Sequence, residues 1–431
     1  MDYQKKYLKY KNKYFKIKQL GGNKLTKSEF NENEHDGYCP DDKPYMCDMD
    51  TKAYGLCKSS PTKCDINDSD GVIPTIPDDT DEGKRFGYKS DFLHLPCDTL
   101  EEFETKPIVN STKQNVPNEF KIMTCNLWGI LRKIDDTDKY NFLKFVMETR
   151  MIHIAKNIID LEPDIVCFQE MSQTTYDLLS KFLKKYYPYM YEIDPNYDTL
   201  LTTRKRDIET CVFSKYQAKN YTNYNVGGNL GYTNSLLVVE YPNLSIYNCY
   251  LQAGSKVSVG QSKKWKHYSR CRRDQFMNIR RLIESDTRPV VVVGDFNCHL
   301  DGMNDGFPEL KVWDNFLKDS YRATHINKDE EDYDGLTENT DINHMRWNNK
   351  FAEKKLRYDG ILYRGEIQPI VSDVVCKQQI PLNEEQSRLF EKYMVTDPEA
   401  NKEKIRYYDD TKKLFALNMS DHFPVITKFI M

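Results

Sequence analysis

The 431-residue sequence has no hydrophobic run long enough to span a membrane. Its longest apolar stretches, such as residues 236–239 and the four valines at 290–293, have the length of single β-strands. The first residues also lack the apolar segment of a secretory signal. These absences predict a soluble protein made in the cytosol.

A large net charge of either sign is also missing. The net charge is −4 although 30% of the residues are charged. A polycation that coats nucleic acid or membranes is therefore excluded, and affinity for either must come from a local basic patch. Residues 1–20 and 263–273 are two such patches, and each is consistent with a membrane-surface contact, a nucleic-acid contact or plain solvation. For residues 1–20 a contact with a protein partner is a further alternative.

The twelve cysteines include no Cys-x-x-Cys pair of the kind that structural zinc sites use. Five of them lie in or beside predicted strands, where a free cysteine behaves as a small buried apolar residue: Cys125, Cys167, Cys211, Cys249 and Cys298. Four others cluster in the polar segment 39–64: Cys39, Cys47, Cys57 and Cys64. A zinc site, a disulfide-stapled module and unpaired thiols all stay open for this cluster, and disulfides would need an oxidising setting such as a viral particle.

Residues 1–22 predict a basic amphipathic helix. Tyrosines recur at steps of four and three between lysines, and two glycines end the pattern at 21 and 22. The segment is similar to the Lys/Tyr-rich openings ending in Gly-Gly of many proteins of mimivirus-like giant DNA viruses. That similarity implies the host cytoplasm or the virion as the location.

Residues 23–117 are polar and broken by turn formers, which predicts a linker that contains the cysteine-rich segment 39–64. A catalytic domain is predicted at 118–431, where strand-like runs alternate with helical runs at 141–160, 174–186 and 274–284. Strands also follow each other directly at 233–240 and 244–251. This mixture suits two packed sheets with helices on their outer faces.

Five segments of this domain place a carboxylate, an amide or a histidine at the edge of an apolar run: residues 120–126, 164–170, 290–297, 357–363 and 420–425. Stability gives a buried strand no reason to end in an acid. Several such ends together are the way in which an acidic metal site is assembled.

In this order the five segments resemble the endonuclease/exonuclease/phosphatase superfamily, and the resemblance runs from about residue 120 to the C-terminus. Gly294-Asp295-Phe296-Asn297 after four valines is the most specific element. The resemblance implies an α/β fold, namely a four-layer α/β sandwich with two packed mixed β-sheets and outer helices. A poorly structured N-terminal extension would precede it.

The resemblance also implies a Mg²⁺-dependent phosphoric ester hydrolase, with Mn²⁺ as an alternative ion. Glu170 would be the main metal ligand, Asn126 would help it and Asp421 would complete the site. Carboxylate and amide oxygens are the ligands that Mg²⁺ prefers. Whether one or two metals act stays open.

The remaining motif positions would carry the reaction. Asp295 and Asn297 would orient the attacking water and a phosphate oxygen. His422 would be the general base or a stabiliser of the transition state, and Asp359 would pair with it and fix its tautomer.

Three further residues concern the surroundings of the site. Many relatives carry a histidine where this chain has Tyr250, whose hydroxyl could donate to a phosphate or leaving oxygen or could simply fill the core. Arg272 and Gln275 resemble an Arg-x-x-Gln element, in which the arginine would brace the catalytic aspartates.

The substrate class is less specified than the reaction. Short elements at 126–130, 317–322 and 337–343 are similar to parts of neutral sphingomyelinases, which favours a phospholipid phosphodiester. A DNA or RNA endonuclease or abasic-site nuclease is the main alternative. An inactive binding module of the same fold is a second alternative.

Overall fold

The structure, a computed structural model, describes residues 45–46, 57–58, 115–129, 136–192, 209–226, 235–254, 264–301, 307–325, 335–346, 354–395, 405 and 407–431. Strands β1 (Tyr45–Met46) and β2 (Cys57–Lys58) form a short antiparallel ladder by themselves. The predicted helix at 1–22, nearly all of the predicted linker and Cys39, Cys47 and Cys64 lie outside the described residues.

The first of two six-stranded sheets has the strand order β15-β18-β3-β4-β6-β5. Its members are β3 (Glu119–Asn126), β4 (Ile165–Met171), β5 (Tyr189–Glu192), β6 (Glu209–Ser214), β15 (Gln368–Val374) and β18 (Val425–Ile430). β3 and β4 are parallel, and the other neighbours are antiparallel.

The second sheet has the order β11-β14-β10-β9-β8-β7. Its members are β7 (Asn220–Asn225), β8 (Ser235–Glu240), β9 (Ser245–Tyr250), β10 (Val290–Asp295), β11 (Lys318–Asp319) and β14 (Asp359–Arg364). β9 and β10 are parallel, and the other neighbours are antiparallel. Two short antiparallel ladders complete the strands: β12 (Glu338–Asn339) with β13 (Lys355–Leu356), and β16 (Ile380–Pro381) with β17 (Ala416–Leu417).

The two sheets pack face to face, and the valines of β10 show why its sequence is apolar without alternation. Val291 and Val293 belong to the core between the sheets, together with Ile122 and Ile165 of the first sheet. Val292 lies in a separate core on the outer face of the second sheet. A strand that is covered on both faces reads as a continuous apolar run.

Helices cover the outer faces. The first sheet is covered by α1 (Thr137–Leu161), α2 (Gln173–Leu183) and α5 (Glu384–Met394), and the second by α3 (Lys264–Glu284) and a 3-10 helix at Pro308–Val312. The short α4 (Ser320–Thr324) packs beside β15, where the Ser320 and Ser372 hydroxyls lie 3.2 Å apart. This is the predicted four-layer sandwich, and the fold prediction is confirmed.

Helix α3 corrects one predicted boundary. The sequence predicted a helix only from residue 274, with the basic stretch at 263–273 before it, but the described part of that stretch is already helical from Lys264. Lysine, arginine and tryptophan tolerate a helix, and no glycine or proline interrupts them here. No helix in the described ranges is both long and apolar enough to cross a membrane.

The described cysteines agree with the predicted burial. The five in or beside strands are all buried, as are Cys271 in α3 and Cys376 after β15, and none of these seven forms a disulfide.

Candidate active site

The polar groups at the strand ends meet because both sheets contain a parallel pair. Asn126 and Glu170 lie at the carboxyl ends of β3 and β4. Tyr250 and Asp295 end β9 and β10, and they are register partners. Since parallel strands end at the same edge of a sheet, each pair projects from one end of the sandwich.

Antiparallel neighbours deliver the remaining groups to this same end. β14 begins at Asp359, which is the register partner of Asp295 at the end of β10. β18 begins opposite the end of β3, with Val425 paired to Thr124, so the turn that carries Asp421 and His422 also lies there. The sequence-predicted catalytic and metal-binding residues are therefore all placed at one end of the molecule.

Local backbone geometry aims two of these side chains. β4 carries a bulge between Phe168 and Met171, and Glu170 within it has φ +52°. Asn297 has φ +50°. Bulges and left-handed residues redirect side chains at a cost of order 1–3 kcal/mol each, and they cluster at functional sites.

Gly294 is required by the strand beside it. Its φ is +141°, and a Cβ at this position would lie 1.9 Å from the Cys249 carbonyl oxygen. The glycine of the Gly-Asp-x-Asn element therefore lets β10 run close to β9, which brings Asp295 beside Tyr250.

Asn126 is a bridge between two acids. Its side-chain nitrogen donates to Glu170 Oε1 at 3.2 Å and to Asp295 Oδ2 at 3.0 Å, while its Oδ1 accepts the Trp128 N–H at 2.9 Å. The carboxylates accept and the backbone N–H donates, so these partners fix which amide atom is nitrogen. Asn126 thus positions Glu170 and Asp295, and its oxygen is already used once by the backbone.

Glu170 lies in a strongly polar setting. Burial raises its pKa and the negative charge of Asp421 adds to this effect, whereas the hydrogen bonds from Asn126 and Tyr250 lower it. The Tyr250 hydroxyl donates to Glu170 Oε1 at 2.9 Å. Burial and the charge of Glu170 together raise the pKa of Tyr250 well above its usual value, so this hydroxyl stays protonated and acts as a donor.

Asp295 is held by amide groups. Its oxygens accept the backbone N–H of Asn297 at 2.8 Å and the Asn297 side-chain amide at 3.2 Å, in addition to Asn126. The same Asn297 amide also donates to the Leu251 carbonyl at 2.9 Å. Burial, with the neighbouring carboxylate of Asp359, raises the pKa of Asp295 to about 8. Its proton affinity therefore lies near neutrality.

His422 and Asp359 form a buried pair. The ring Nδ1 lies 2.7 Å from Asp359 Oδ2, and the two side chains are 4% and 1% exposed. Burial by itself lowers the pKa of His422, but the carboxylates of Asp359, Asp295 and Asp421 outweigh it and hold that pKa well above the usual value. The imidazole is accordingly cationic at neutral pH, with Nδ1–H donating to Asp359.

Three of these groups lie especially close together. One ligand atom each of Asp295, Asp359 and His422 falls within 4.8 Å of the others. Because His422 Nδ1 is engaged with Asp359, this trio is better described as an acid–base cluster than as a metal cage.

Comparison with known proteins bears directly on this site. A model of the endonuclease/exonuclease/phosphatase family matches residues 123–381. The chain belongs to this family. Family members are in general phosphoesterases that hydrolyse with the aid of a divalent metal. The predicted family is therefore confirmed, while the giant-virus origin stays a prediction.

Solved structures with similarity to this fold have low sequence identity. A truncated TDP2 of Caenorhabditis elegans is 17% identical with a TM-score of 0.48, over 73% of this chain and 98% of its own. TDP2 of D. rerio, complexed with single strand DNA product, is 14% identical with a TM-score of 0.47, over 73% and 99%. Beta toxin 275-280 of Staphylococcus aureus is 16% identical with a TM-score of 0.47, over 72% and 99%. No curated protein matches the chain.

The residues of the site fit the divalent metal that the family implies. Glu170 and Asp421 supply carboxylate oxygens, which are the donors that Mg²⁺ prefers. The Asp359 Oδ1 atom is buried and has no hydrogen-bond partner among the described residues. Burial first, and then repulsion by neighbouring carboxylates, raises the pKa values of Glu170 and Asp295. A bound cation would relieve this repulsion.

Arg272 and Gln275 support the site less directly than the sequence predicted. The Arg272 guanidinium pairs with Glu309 at 2.8 Å and donates to the carbonyls of Gln252 and Gly254 at 2.9 and 2.7 Å. Gln275 accepts the Gln252 N–H at 3.1 Å. Both residues therefore hold the loop after β9, next to Tyr250. These contacts lie at the loop after β9, and the bracing of the aspartates by Arg272 stays a prediction.

The basic stretch at 263–273 includes a residue that is not exposed to solvent. Arg272 is 1% exposed, which excludes it from any contact with lipid or nucleic acid. Arg273 is 40% exposed and lies 3.3 Å from Asp274. Any contact surface formed by this stretch would therefore lack Arg272.

Sequence reasoning missed Arg150 of α1. It is buried, donates to the Met419 carbonyl at 2.9 Å, and also binds the carbonyl of Leu127. Burial lowers its pKa to about 10, although the charge of Asp421 opposes this effect. Arg150 joins the loop after β3 to the turn before Asp421. Its position in the apolar stripe of α1 was the available signal, since a charged residue on such a stripe needs buried partners.

A buried polar contact between the sheets was missed as well. The Gln169 side-chain nitrogen donates to Asn248 Oδ1 at 2.7 Å, and the Asn248 nitrogen donates to the carbonyls of Phe168 and Cys211, each at 3.0 Å. This bridge ties β4 of the first sheet to β9 of the second, at the residue that precedes Glu170. Pairing across sheets cannot be read from either strand alone.

Proposed function

We propose that the protein is a divalent-metal-dependent phosphodiester hydrolase. The observation that carries this proposal is the buried pair of His422 and Asp359 beside Asp295, at the strand ends that also present Glu170. A cationic imidazole, a carboxyl with a near-neutral pKa and a cluster of oxygen donors together match the needs of phosphoryl transfer to water.

Asp295 is the group best suited to accept the proton of the attacking water. Its pKa of about 8 lies near working pH, which is where a general base is most effective. The amides of Asn126 and Asn297 hold this carboxylate in one orientation.

His422 is better suited to stabilise charge than to act as the base. Its pKa is held well above the usual value, so the ring is protonated and its second nitrogen would donate to a phosphoryl oxygen in the transition state. Asp359 keeps the ring cationic and fixes its orientation through Nδ1. This choice favours the second of the two roles that the sequence left open for His422.

Glu170 and Asp421 would hold the metal, with Asn126 orienting Glu170. When bound, Mg²⁺ supplies positive charge to the phosphoryl and leaving oxygens. The Tyr250 hydroxyl donates to Glu170 and so holds it in place.

A sphingomyelinase-like phospholipid phosphodiesterase is our first candidate for the substrate class, and it rests on sequence alone. The elements that favoured it now have internal roles. A Cβ on Gly129 would meet the Glu170 carbonyl at 2.7 Å, and Asp319 pairs with the buried Arg357 at 2.6 Å. Such contacts support the site without selecting a substrate.

A nuclease is the second candidate, and Tyr250 favours it. The hydroxyl lies beside Glu170, where relatives of the sphingomyelinase type carry histidine. A donor that stays protonated at this place could bind a phosphate or a leaving oxygen of nucleic acid.

The test is a hydrolysis panel on the purified full chain with Mg²⁺ or EDTA. The substrates are sphingomyelin vesicles, plasmid DNA, single-stranded DNA and abasic-site DNA, and the His422→Ala variant is the control. Metal-dependent release of phosphocholine alone supports the phospholipid class, and cleavage of DNA alone supports the nuclease. Cleavage that His422→Ala performs equally well would contradict the proposed site, and no cleavage at all would contradict both substrate classes.

A further inference from the structure

Thr337 contacts both segments that carry the acid–base pair. Its hydroxyl accepts the backbone N–H groups of Tyr358 and Asp359 at 3.0 and 3.1 Å. Its carbonyl accepts the N–H of Phe423 at 2.7 Å. Thr337 is fully buried, so one residue fixes the backbone at Asp359 and the backbone next to His422.

Asn343 holds the other side of the histidine turn. Its side-chain nitrogen donates to the Ser420 carbonyl at 3.0 Å, and its Oδ1 accepts the Met345 N–H at 3.0 Å. The adjacent His344 N–H donates to Asn418 Oδ1 at 2.8 Å. The turn from Ser420 to Phe423 is therefore held at both of its ends by residues 337–343, which we name the bracket.

The bracket itself is anchored by the ladder of β12 and β13. The Thr337 N–H donates to the Leu356 carbonyl at 3.1 Å. Next to it, Glu338 and Lys354 form a buried ion pair at 3.0 Å, with side chains 0% and 5% exposed. A charge-assisted contact with so little exposure is a rigid support.

We infer that Thr337 is a positioning residue for the reaction, and that it acts by setting the separation of His422 and Asp359. This inference rests on the proposed hydrolase function. The His422–Asp359 contact joins residues 63 positions apart in sequence, and its 2.7 Å distance depends on two loops being held together. Thr337 hydrogen-bonds to both of these segments. A displacement of about 1 Å in such a pair costs about 100-fold in rate.

A purely structural role would give a different result in kinetics. If Thr337 only satisfied buried N–H groups, its loss would lower stability and leave the turnover of folded protein unchanged. If it positions the pair, kcat falls while KM changes little, because substrate is bound by other groups.

The experiment compares three variants of the full chain. Thr337→Val keeps the shape and removes the hydroxyl, Thr337→Ser keeps the hydroxyl, and Ser387→Ala is the matched control. Ser387 also accepts a buried backbone N–H, from Phe415 at 2.8 Å, but it lies on α5 rather than in the bracket. All three are assayed below their thermal transitions on the substrate that the panel identifies.

We expect Thr337→Val to lower kcat about 10- to 100-fold with KM nearly unchanged, and Thr337→Ser to recover most of the loss. Ser387→Ala is expected to lose stability only. A Thr337→Val enzyme with the kcat of the parent would overturn the inference, and so would equal loss in Thr337→Ser and Thr337→Val.

A second readout needs no substrate. The Nδ1 proton of His422, buried in a 2.7 Å contact with Asp359, should give a far-downfield proton NMR resonance that is absent in His422→Ala. We expect this resonance to broaden or disappear in Thr337→Val and to persist in Thr337→Ser. An unchanged resonance in Thr337→Val would overturn the inference. Failure of the hydrolase proposal would appear separately, as a parent chain without turnover.

Discussion

Buried acids in this molecule have two kinds of partner. Outside the candidate active site, Glu309 pairs with Arg272 at 2.8 Å and Glu338 pairs with Lys354 at 3.0 Å. At the strand ends, Asp295 is instead bound by the neutral amides of Asn126 and Asn297. The first kind of acid is neutralised by a fixed cation of the protein, whereas Asp295 is only oriented.

The two kinds of partner suit two different functions of a buried acid, which are support of the fold and chemistry. A neutralised pair rigidifies the fold and leaves no charge for a ligand. Carboxylates that are buried, crowded by one another and oriented only by neutral donors have a raised proton affinity, as in the pKa of about 8 for Asp295. That arrangement is unfavourable for stability, and it suits a region that receives a cation and moves a proton.

The largest effect on activity should come from a substitution at the strand ends that form the candidate site. We expect His422→Ala to lower kcat/KM about 10³- to 10⁴-fold, because the transition state loses its cationic donor. Steady-state kinetics on the identified substrate measures this loss. His153→Ala, which changes a half-buried histidine of α1, is the matched control and should retain turnover. Equal activity in both variants would mean that His422 has no part in the reaction.

Loss of a cation that neutralises a buried acid should lower the stability of the fold. Arg272→Met leaves Glu309 buried without its cation, and we expect the free energy of unfolding to fall by about 3–5 kcal/mol. Denaturant unfolding measures it. The double variant Arg272→Met/Glu309→Leu should regain most of the loss, because it removes the uncompensated charge as well. A double variant no more stable than the single one would show that packing, not charge, is what Arg272 provides.

Stabilisation by bound Mg²⁺ should distinguish the carboxylates of the candidate site from acids elsewhere in the chain. Saturating Mg²⁺ at about 100 times its dissociation constant should stabilise the parent by about 2.7 kcal/mol. We expect Glu170→Gln to lose this gain, since its charge is the one that the ion would bind. Glu366→Gln, which changes an exposed glutamate, is the control and should keep it. Thermal melts with and without Mg²⁺ measure the shift, and an undiminished shift in Glu170→Gln would place the ion elsewhere.

The last expected effect is a pH slope, which is small for any single pH unit. Asp295 has a folded pKa of about 8 against an ordinary 3.8, so the folded state binds the extra proton between these values. Its contribution to stability is therefore full below about pH 4 and is lost as the pH rises towards 8, with a slope on the order of 1 kcal/mol per pH unit. Asp295→Asn should flatten this part of the curve in metal-free buffer. Parallel curves for parent and variant would contradict the raised pKa.

The sequence predicted the strand ends well because each is a local pattern. A run of apolar residues that stops at Glu170 or Asp295 is visible without neighbours, and the family resemblance supplied the four-layer architecture. The contacts between segments that are distant in sequence could not be predicted from local patterns. The Asn126 bridge between two acids and the Gln169–Asn248 contact between the sheets each depend on pairing that neither segment encodes alone.

The supporting residues were harder to find than the reacting ones. Arg150 sits on the apolar stripe of α1, and Thr337 lies in a short element whose pattern fits any turn. Their significance comes from which carbonyls and N–H groups they meet after folding. The start of α3 at Lys264 was likewise mistaken because a lysine-rich stretch reads as solvated loop as readily as helix.

The most direct test of this account is the Mg²⁺ dependence of phosphodiester hydrolysis by the parent chain, Glu170→Gln and His422→Ala, measured side by side. We expect turnover by the parent with Mg²⁺, none with EDTA, and loss of turnover in both variants while their thermal unfolding stays cooperative. Hydrolysis that survives EDTA, or that survives both substitutions, would contradict the assignment of this cluster as the active site.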